Sequence, residues 1–297
     1  FSGGDIKIIV KNFEKYFGKR NKKDLALTYR FNQRLCELTS SFIQQRSNQL
    51  KKKIKGIKEY NDVPVEIIRQ KDKSTFQIDF SLKINLLNNL DNIFRSDPNA
   101  KEILFLSRYN DYNYKNGYED LKKYLHNIFK SKKVNIKFST IHSAKGSEAD
   151  YVFILNVSDG YLGFPSTIED DPLLKLAKYD SSNSSDDDKK EKIEEERRLF
   201  YVALTRTKKK VFIYGSHDAY FVNEILNDKK IKKNHHYNVD NIKEVSNPDK
   251  VVVINYVKGK KSENNPKTPA KNLGIEAGDL IIQVENKKNP SKKEFDI

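Results

Sequence analysis

Cysteine is nearly absent from the sequence: Cys36 is the single one in 297 residues. One thiol cannot build a disulfide framework, so we expect a reducing compartment, the bacterial cytosol. No apolar run comes near the roughly twenty residues of a membrane span, and no charged-then-apolar leader opens the chain. We expect a soluble protein with no membrane partner. Methionine does not occur at all, and the chain opens at Phe1 on FSGGD; we expect a piece of something longer. The phosphate loop G-x-x-x-x-G-K-[ST] is also lacking, since none of the 12 glycines precedes Lys-Ser or Lys-Thr. These residues alone are therefore not expected to hydrolyse a nucleotide.

What is abundant is positive charge. There are 56 Lys and Arg against 41 Asp and Glu, a formal net charge of +15. That excess favours a polyanionic partner, nucleic acid first and acidic lipid second. A low-GC genome also enriches lysine, so charge alone leaves the partner open. At 34.6 kDa the chain can hold one large α/β domain and a smaller module,.

The stretch that organises the rest is Glu194 to Gly215, EEERRLFYVALTRTKKKVFIYG. Leu199, Val202, Ala203 and Leu204 fall at helical spacing, and VFIYG is an apolar run fit for a buried strand. Acids in the first turn and bases near the end match the helix macrodipole. Arg206 follows at the helix end. A guanidinium there can reach a phosphate offered by a partner surface, or make a surface salt bridge; both readings stand.

Earlier in the chain, Leu25, Leu27 and Tyr29 alternate as a strand, and Leu35, Leu38, Phe42 and Ile43 repeat as a helix. This places Tyr29 and Arg30 at a strand-to-helix junction, where open α/β sheets hold ligands. A core-edge aromatic and a solvated base are the alternatives. Strands are expected near 63–69, 102–107, 134–138 and 151–157, and helices near 6–17, 81–94, 119–129 and 221–226. Their alternation argues for a parallel sheet covered on both faces. His126 reads as a partly buried structural histidine. The loop with Thr140, His142, Ser143, Lys145 and Gly146 can cradle a phosphate, or be merely solvated. Glu148 has the wrong sign for phosphate but suits sugar hydroxyls. Ser181 to Lys190 reads as a mobile acidic loop. The His235-His236 pair lacks other ligand types nearby, so no metal site is expected.

Laid side by side, LTYRFNQRL, FSTIHSAKGSEADYVFIL and EEERRLFYVALTRTKKK resemble motifs IV, V and VI, in order, of the UvrD/Rep-like superfamily 1 DNA helicases. FSGGD resembles the end of motif III. The likeness covers about residues 1–226 and implies a second RecA-like (P-loop NTPase-type) motor domain, a parallel sheet flanked by helices. By that resemblance Tyr29 stacks on adenine, Arg30 and Arg206 contact the γ-phosphate with Arg206 as arginine finger, Gly146 and Glu148 belong to the nucleotide site with Glu148 on the ribose, and Thr140, His142, Ser143 and Lys145 touch DNA. Phe1 stacks on a base. The implied cofactors are ATP and Mg²⁺, with the magnesium ligands expected in an amino-terminal RecA-like partner domain. The implied partner is DNA, as single strand and duplex junction, traversed 3′ to 5′. An inactive nucleic-acid-binding or scaffold module on the same fold is the alternative.

Residues 227–297 read as a linker and a small β-rich appended module. LGIEAGDLIIQV there resembles half of a PDZ-type fold, which would imply a peptide or protein partner.

Overall fold

Strands that are apolar on both sides must be covered on both sides, and alternating helices supply the cover. In the computed structural model the described residues are 12–21, 23, 25–45, 53–58, 62–71, 78–109, 118–129, 134–168, 185–234 and 236–242, with four two-residue strands beyond them. The elements run α1 (Phe13–Phe17), β1 (Leu27–Asn32), α2 (Gln33–Ile43), β2 (Lys55–Lys58), β3 (Val65–Gln70), α3 (Phe80–Ser96), β4 (Glu102–Ser107), α4 (Tyr118–Phe129), β5 (Asn135–Thr140), β6 (Ala149–Val157), α5 (Ser185–Leu204), β7 (Thr207–Ser216), α6 (Tyr220–Asn227), α7 (Lys229–Lys233) and β8 (Tyr237–Ile242).

Six strands form one sheet in the order β5-β4-β6-β7-β3-β8, parallel throughout. Strand side chains alternate between faces, and the core divides accordingly. Leu104, Leu106, Val152, Ile154, Val211 and Ile213 pack on one face with Leu35, Leu38 and Phe42 of α2 and with Leu199, Phe200, Ala203 and Leu204 of α5. Ile103, Phe105, Phe153, Phe212 and Tyr214 pack on the other, beneath Leu82, Leu86 and Leu90 of α3 and Leu121 and Leu125 of α4. On that second face Phe138, Phe105, Phe153 and Phe212 stack in a row across four strands, with centroids 4.6, 4.7 and 4.6 Å apart. Each such pair adds about 0.5–1.5 kcal/mol beyond the area it buries.

Several expectations are corrected. Tyr29 and Arg30 lie inside β1, not at its end; among the described residues β1 pairs with β2, outside the main sheet. The turn to α2 comes at Asn32, whose Oδ1 accepts the Leu35 N–H at 2.9 Å as N-cap. The acidic segment is helical from Ser185, with Lys189 and Lys190 exposed. His126 is exposed. On α5 it is Phe200 that is buried, while Val202 is half-buried. The sheet also runs past residue 226: β8 pairs with β3 along its whole length, and Ile231 and Ile242 are buried. Phe1 lies outside the described residues, as does most of the module expected after 226. Of that module only Val252–Val253 against Leu280–Ile281 and Gln283–Val284 against Lys287–Lys288 are described, each pair antiparallel. Among the described residues no helix is long and apolar enough to cross a membrane.

Candidate functional site

The connection between β5 and β6 decides where the functional side chains go. Both strands are parallel to β4, which lies between them. The chain must therefore travel from the carboxyl edge of the sheet, at Thr140, back to the amino edge, at Ala149. Six strand residues make that about 20 Å. Residues 141–148 cover it as a run of turns, held to the sheet by the buried Ile141 and Ala144. Gly146 sits in this crossing with φ +88°, a backbone conformation that other residues adopt only with strain,. The consequence is a separation. Thr140, His142 and Ser143 stand toward one edge and Glu148 at the other, so they form two clusters, not a single cradle.

The amino-edge cluster joins segments far apart in sequence. Arg30 reaches from β1 to donate Nε to Glu148 Oε2 at 3.0 Å and Nη1 to the Thr205 carbonyl at 2.9 Å. Arg206, in the turn between α5 and β7, donates Nε to the Val202 carbonyl at 3.0 Å and Nη1 to the Ser147 carbonyl at 3.2 Å. Lys208 Nζ lies 3.0 Å from the other oxygen of Glu148. Its bond to Glu148 raises the lysine above its ordinary value, and the same bond, aided by Arg30, holds the Glu148 carboxyl below the usual carboxylate range. Arg206 is pushed below its ordinary value by burial and then by the Arg30 charge. Two guanidinia and an ammonium thus converge around a single carboxylate. Tyr29 does not join them. It is 71% exposed, and neighbouring residues of a strand point to opposite faces.

Burial separates the arginines that can receive a ligand from those that cannot. The Arg30 and Glu148 side chains are 30% and 42% exposed. Exposed pairs are worth about 0.2–1 kcal/mol, so an incoming anion can take Arg30 from Glu148 at small cost. Arg108 and Glu196 are 14% and 4% exposed, with both carboxylate oxygens engaged and Glu196 Oε2 also accepting the Ser166 N–H at 3.1 Å. Arg197 is fully buried, bonded to Glu224, with the Phe42 and Phe221 rings at 5.0 and 5.5 Å. Breaking such buried pairs costs about 3–5 kcal/mol. Arg108 and Arg197 are framework.

At the carboxyl edge Thr140 donates its hydroxyl to Ser143 Oγ at 3.0 Å and accepts the Ser143 N–H at 3.2 Å. His142 Nδ1 lies 3.4 Å from Arg108 Nη1. Partial burial of the ring, then the Arg108 charge, lower the histidine below its ordinary value. The guanidinium can only donate, so Nδ1 is the acceptor in this contact. Lys145 is exposed in the same crossing. The sequence reading missed Arg108, Glu196 and Arg197, because nothing local in SRYN or EERR tells a buried pair from a solvated one. Among the described residues no group of three or more His, Cys, Asp or Glu could hold a metal ion.

Residues 118–217 match the family described as the UvrD-like helicase C-terminal domain. DNA helicase IV of Escherichia coli (strain K12) is 32% identical over 217 residues, which is 71% of this chain and 27% of that protein. The chain thus spans about a quarter of the length of this relative. The C-terminal domain of a possible DNA helicase from Lactobacillus plantarum WCFS1 aligns over 72% of this chain and 99% of that one at 13% identity, with a TM-score of 0.40, too loose a superposition to carry an argument.

Proposed function

We propose that this chain, which carries a UvrD-like helicase C-terminal domain at residues 118–217, works as the second motor lobe of an ATP-dependent DNA helicase. The observation that carries the reading is the meeting of Arg30 and Arg206 at one edge of the sheet around Glu148. In this reading a partner lobe of the same protein holds ATP and Mg²⁺ and presents the γ-phosphate to these two guanidinia. Phosphoryl transfer is catalysed mainly by position and charge, and an arginine finger supplies about 10³ to 10⁵ in rate. Arg206, on a turn braced by two carbonyls, is the finger. Arg30 exchanges Glu148 for phosphate, and Glu148, still paired with Lys208, turns its freed oxygen to the ribose hydroxyls. Tyr29, the exposed neighbour of Arg30 on β1, offers its ring to the adenine. The residues fit an ATP phosphate tail, and the magnesium ligands belong to the partner lobe in this reading.

Thr140, Ser143, His142 Nε2 and Lys145 meet the nucleic-acid backbone on the opposite edge. Helix α5 links the two edges, anchored by Glu196 near the carboxyl edge and leading into the Arg206 turn at the amino edge. Closure of the lobes on ATP is then felt at the DNA. We propose a 3′ to 5′ direction and a cytoplasmic location on the likeness to a bacterial helicase. The test is DNA-stimulated ATP hydrolysis by this chain joined to a lobe that carries the phosphate loop. Arg206→Ala should lower turnover at least a thousandfold and leave nucleotide affinity within a few fold. Undiminished turnover would refute the finger, and no hydrolysis by the parent protein would favour an inactive binding module.

A further inference from the structure

We propose that Tyr161 is a stacking platform for an unpaired nucleobase, a contact that extends the carboxyl-edge surface and rests on reading that edge as the nucleic-acid face. The loop after β6 holds this ring out on a stiff support. Phe164 N donates to the Ser158 carbonyl at 2.6 Å, Thr167 N to the Gly160 carbonyl at 3.0 Å and Asn156 Nδ2 to the Leu162 carbonyl at 3.0 Å. Gly163 passes so close to the chain that a Cβ there would lie 1.9 Å from the Ser158 oxygen. Phe164 is fully buried, edge-on to Phe200 at 5.2 Å and to Phe221 at 5.9 Å. With this anchoring, Tyr161 is nonetheless 67% exposed.

Its surroundings fit a base and not an apolar partner. The Tyr161 carbonyl accepts from Ser166 Oγ at 3.0 Å, and Ser166 Oγ accepts from the Tyr109 hydroxyl at 2.8 Å. The Tyr109 ring lies under the Arg108 guanidinium at 4.4 Å, and Arg108 reaches His142. A continuous chain of contacts therefore ties the Tyr161 backbone to the loop of Thr140, His142 and Ser143. The strands that carry these groups, β5, β4 and β6, are neighbours, so their ends span about 10 Å. The acid next in line, Asp159, is committed to the Tyr220 N–H at 3.0 Å. A rigid exposed aromatic on the same edge as the Thr140 and Ser143 hydroxyls, with exposed Lys145 in the adjoining crossing, is how single strands are gripped without regard to sequence.

The sequence contains no tryptophan, so Tyr161→Trp creates a single reporter at the proposed platform. The variant chain is titrated with a short oligothymidylate and with an abasic oligonucleotide of equal length. The oligothymidylate should quench the indole, and the abasic strand should bind without quenching. Tyr161→Ala should weaken the oligothymidylate about tenfold, as loss of one stacked base predicts, and leave the abasic strand unchanged, with Tyr161→Phe close to the parent. If the oligothymidylate binds, by anisotropy, without quenching the indole, or if Tyr161→Ala binds it as the parent does, the platform is refuted while the backbone-contact reading stands. If neither strand binds at low salt, the carboxyl edge is not a nucleic-acid face and both readings fall; hydrolysis assays on Arg206 are unaffected by that outcome.

Discussion

Replacing Glu196 by alanine should unfold this protein far more readily than replacing Glu148, although both carboxylates bridge bases. Glu196 is 3% exposed and accepts from Arg108 Nε, Arg108 Nη2 and the Ser166 amide. Its loss leaves a guanidinium with 14% exposure and no counter-charge, and removing one member of such a pair costs about 3–5 kcal/mol. Glu148 is 42% exposed, and its partners Arg30 and Lys208 are 30% and 29% exposed. Water takes up those charges when the carboxylate goes, so the loss stays below about 1 kcal/mol. With a urea dependence of about 2 kcal/mol per molar, the unfolding midpoint should fall by about 1.5–2.5 M for Glu196→Ala and by less than about 0.5 M for Glu148→Ala. Equal shifts, or the reverse order, would show that burial does not separate framework arginines from available ones, and the assignment of Arg30 as a receiver of phosphate would lose its physical basis.

Two further outcomes can be measured on the same chain. Lys208 and Arg30 hold the Glu148 carboxyl below its ordinary value. A depressed folded-state value contributes stability above the unfolded value that is lost as pH falls through the folded one. The small advantage of the parent over Glu148→Gln in urea should thus be present at neutral pH and vanish on acidification below the usual carboxylate range; an advantage that grows in acid would contradict the pairing. Lys145→Ala should weaken single-stranded DNA and reduce the slope of log affinity against log salt by about 0.7, the counterion release of one phosphate contact; an unchanged slope would remove Lys145 from the DNA track.

The parallel α/β character was legible in the sequence because it depends on local matters. Short β-branched and aromatic runs such as EILFLS and YVFILNV read as strands covered on both faces, and the helical spacing in residues 81–94 and 119–129 tells which segments cover them. The order of the three motifs was legible too, since it is a property of the chain alone. The appended strand β8 was not. YNVDNI is mostly polar, and only its pairing with β3 makes it part of the sheet.

Local order along the chain shows which residue types recur and that they sit beside buried strands, because apolar periodicity and backbone propensity act over a few residues. Which charges meet depends on long-range packing. Arg30 reaches a carbonyl 175 residues away, and the crossing at residues 141–148 sends Glu148 to one edge of the sheet and leaves Thr140 at the other. Whether an arginine is a ligand's partner or part of the frame depends on how much water reaches it, and that is set by the packing of elements distant in the chain.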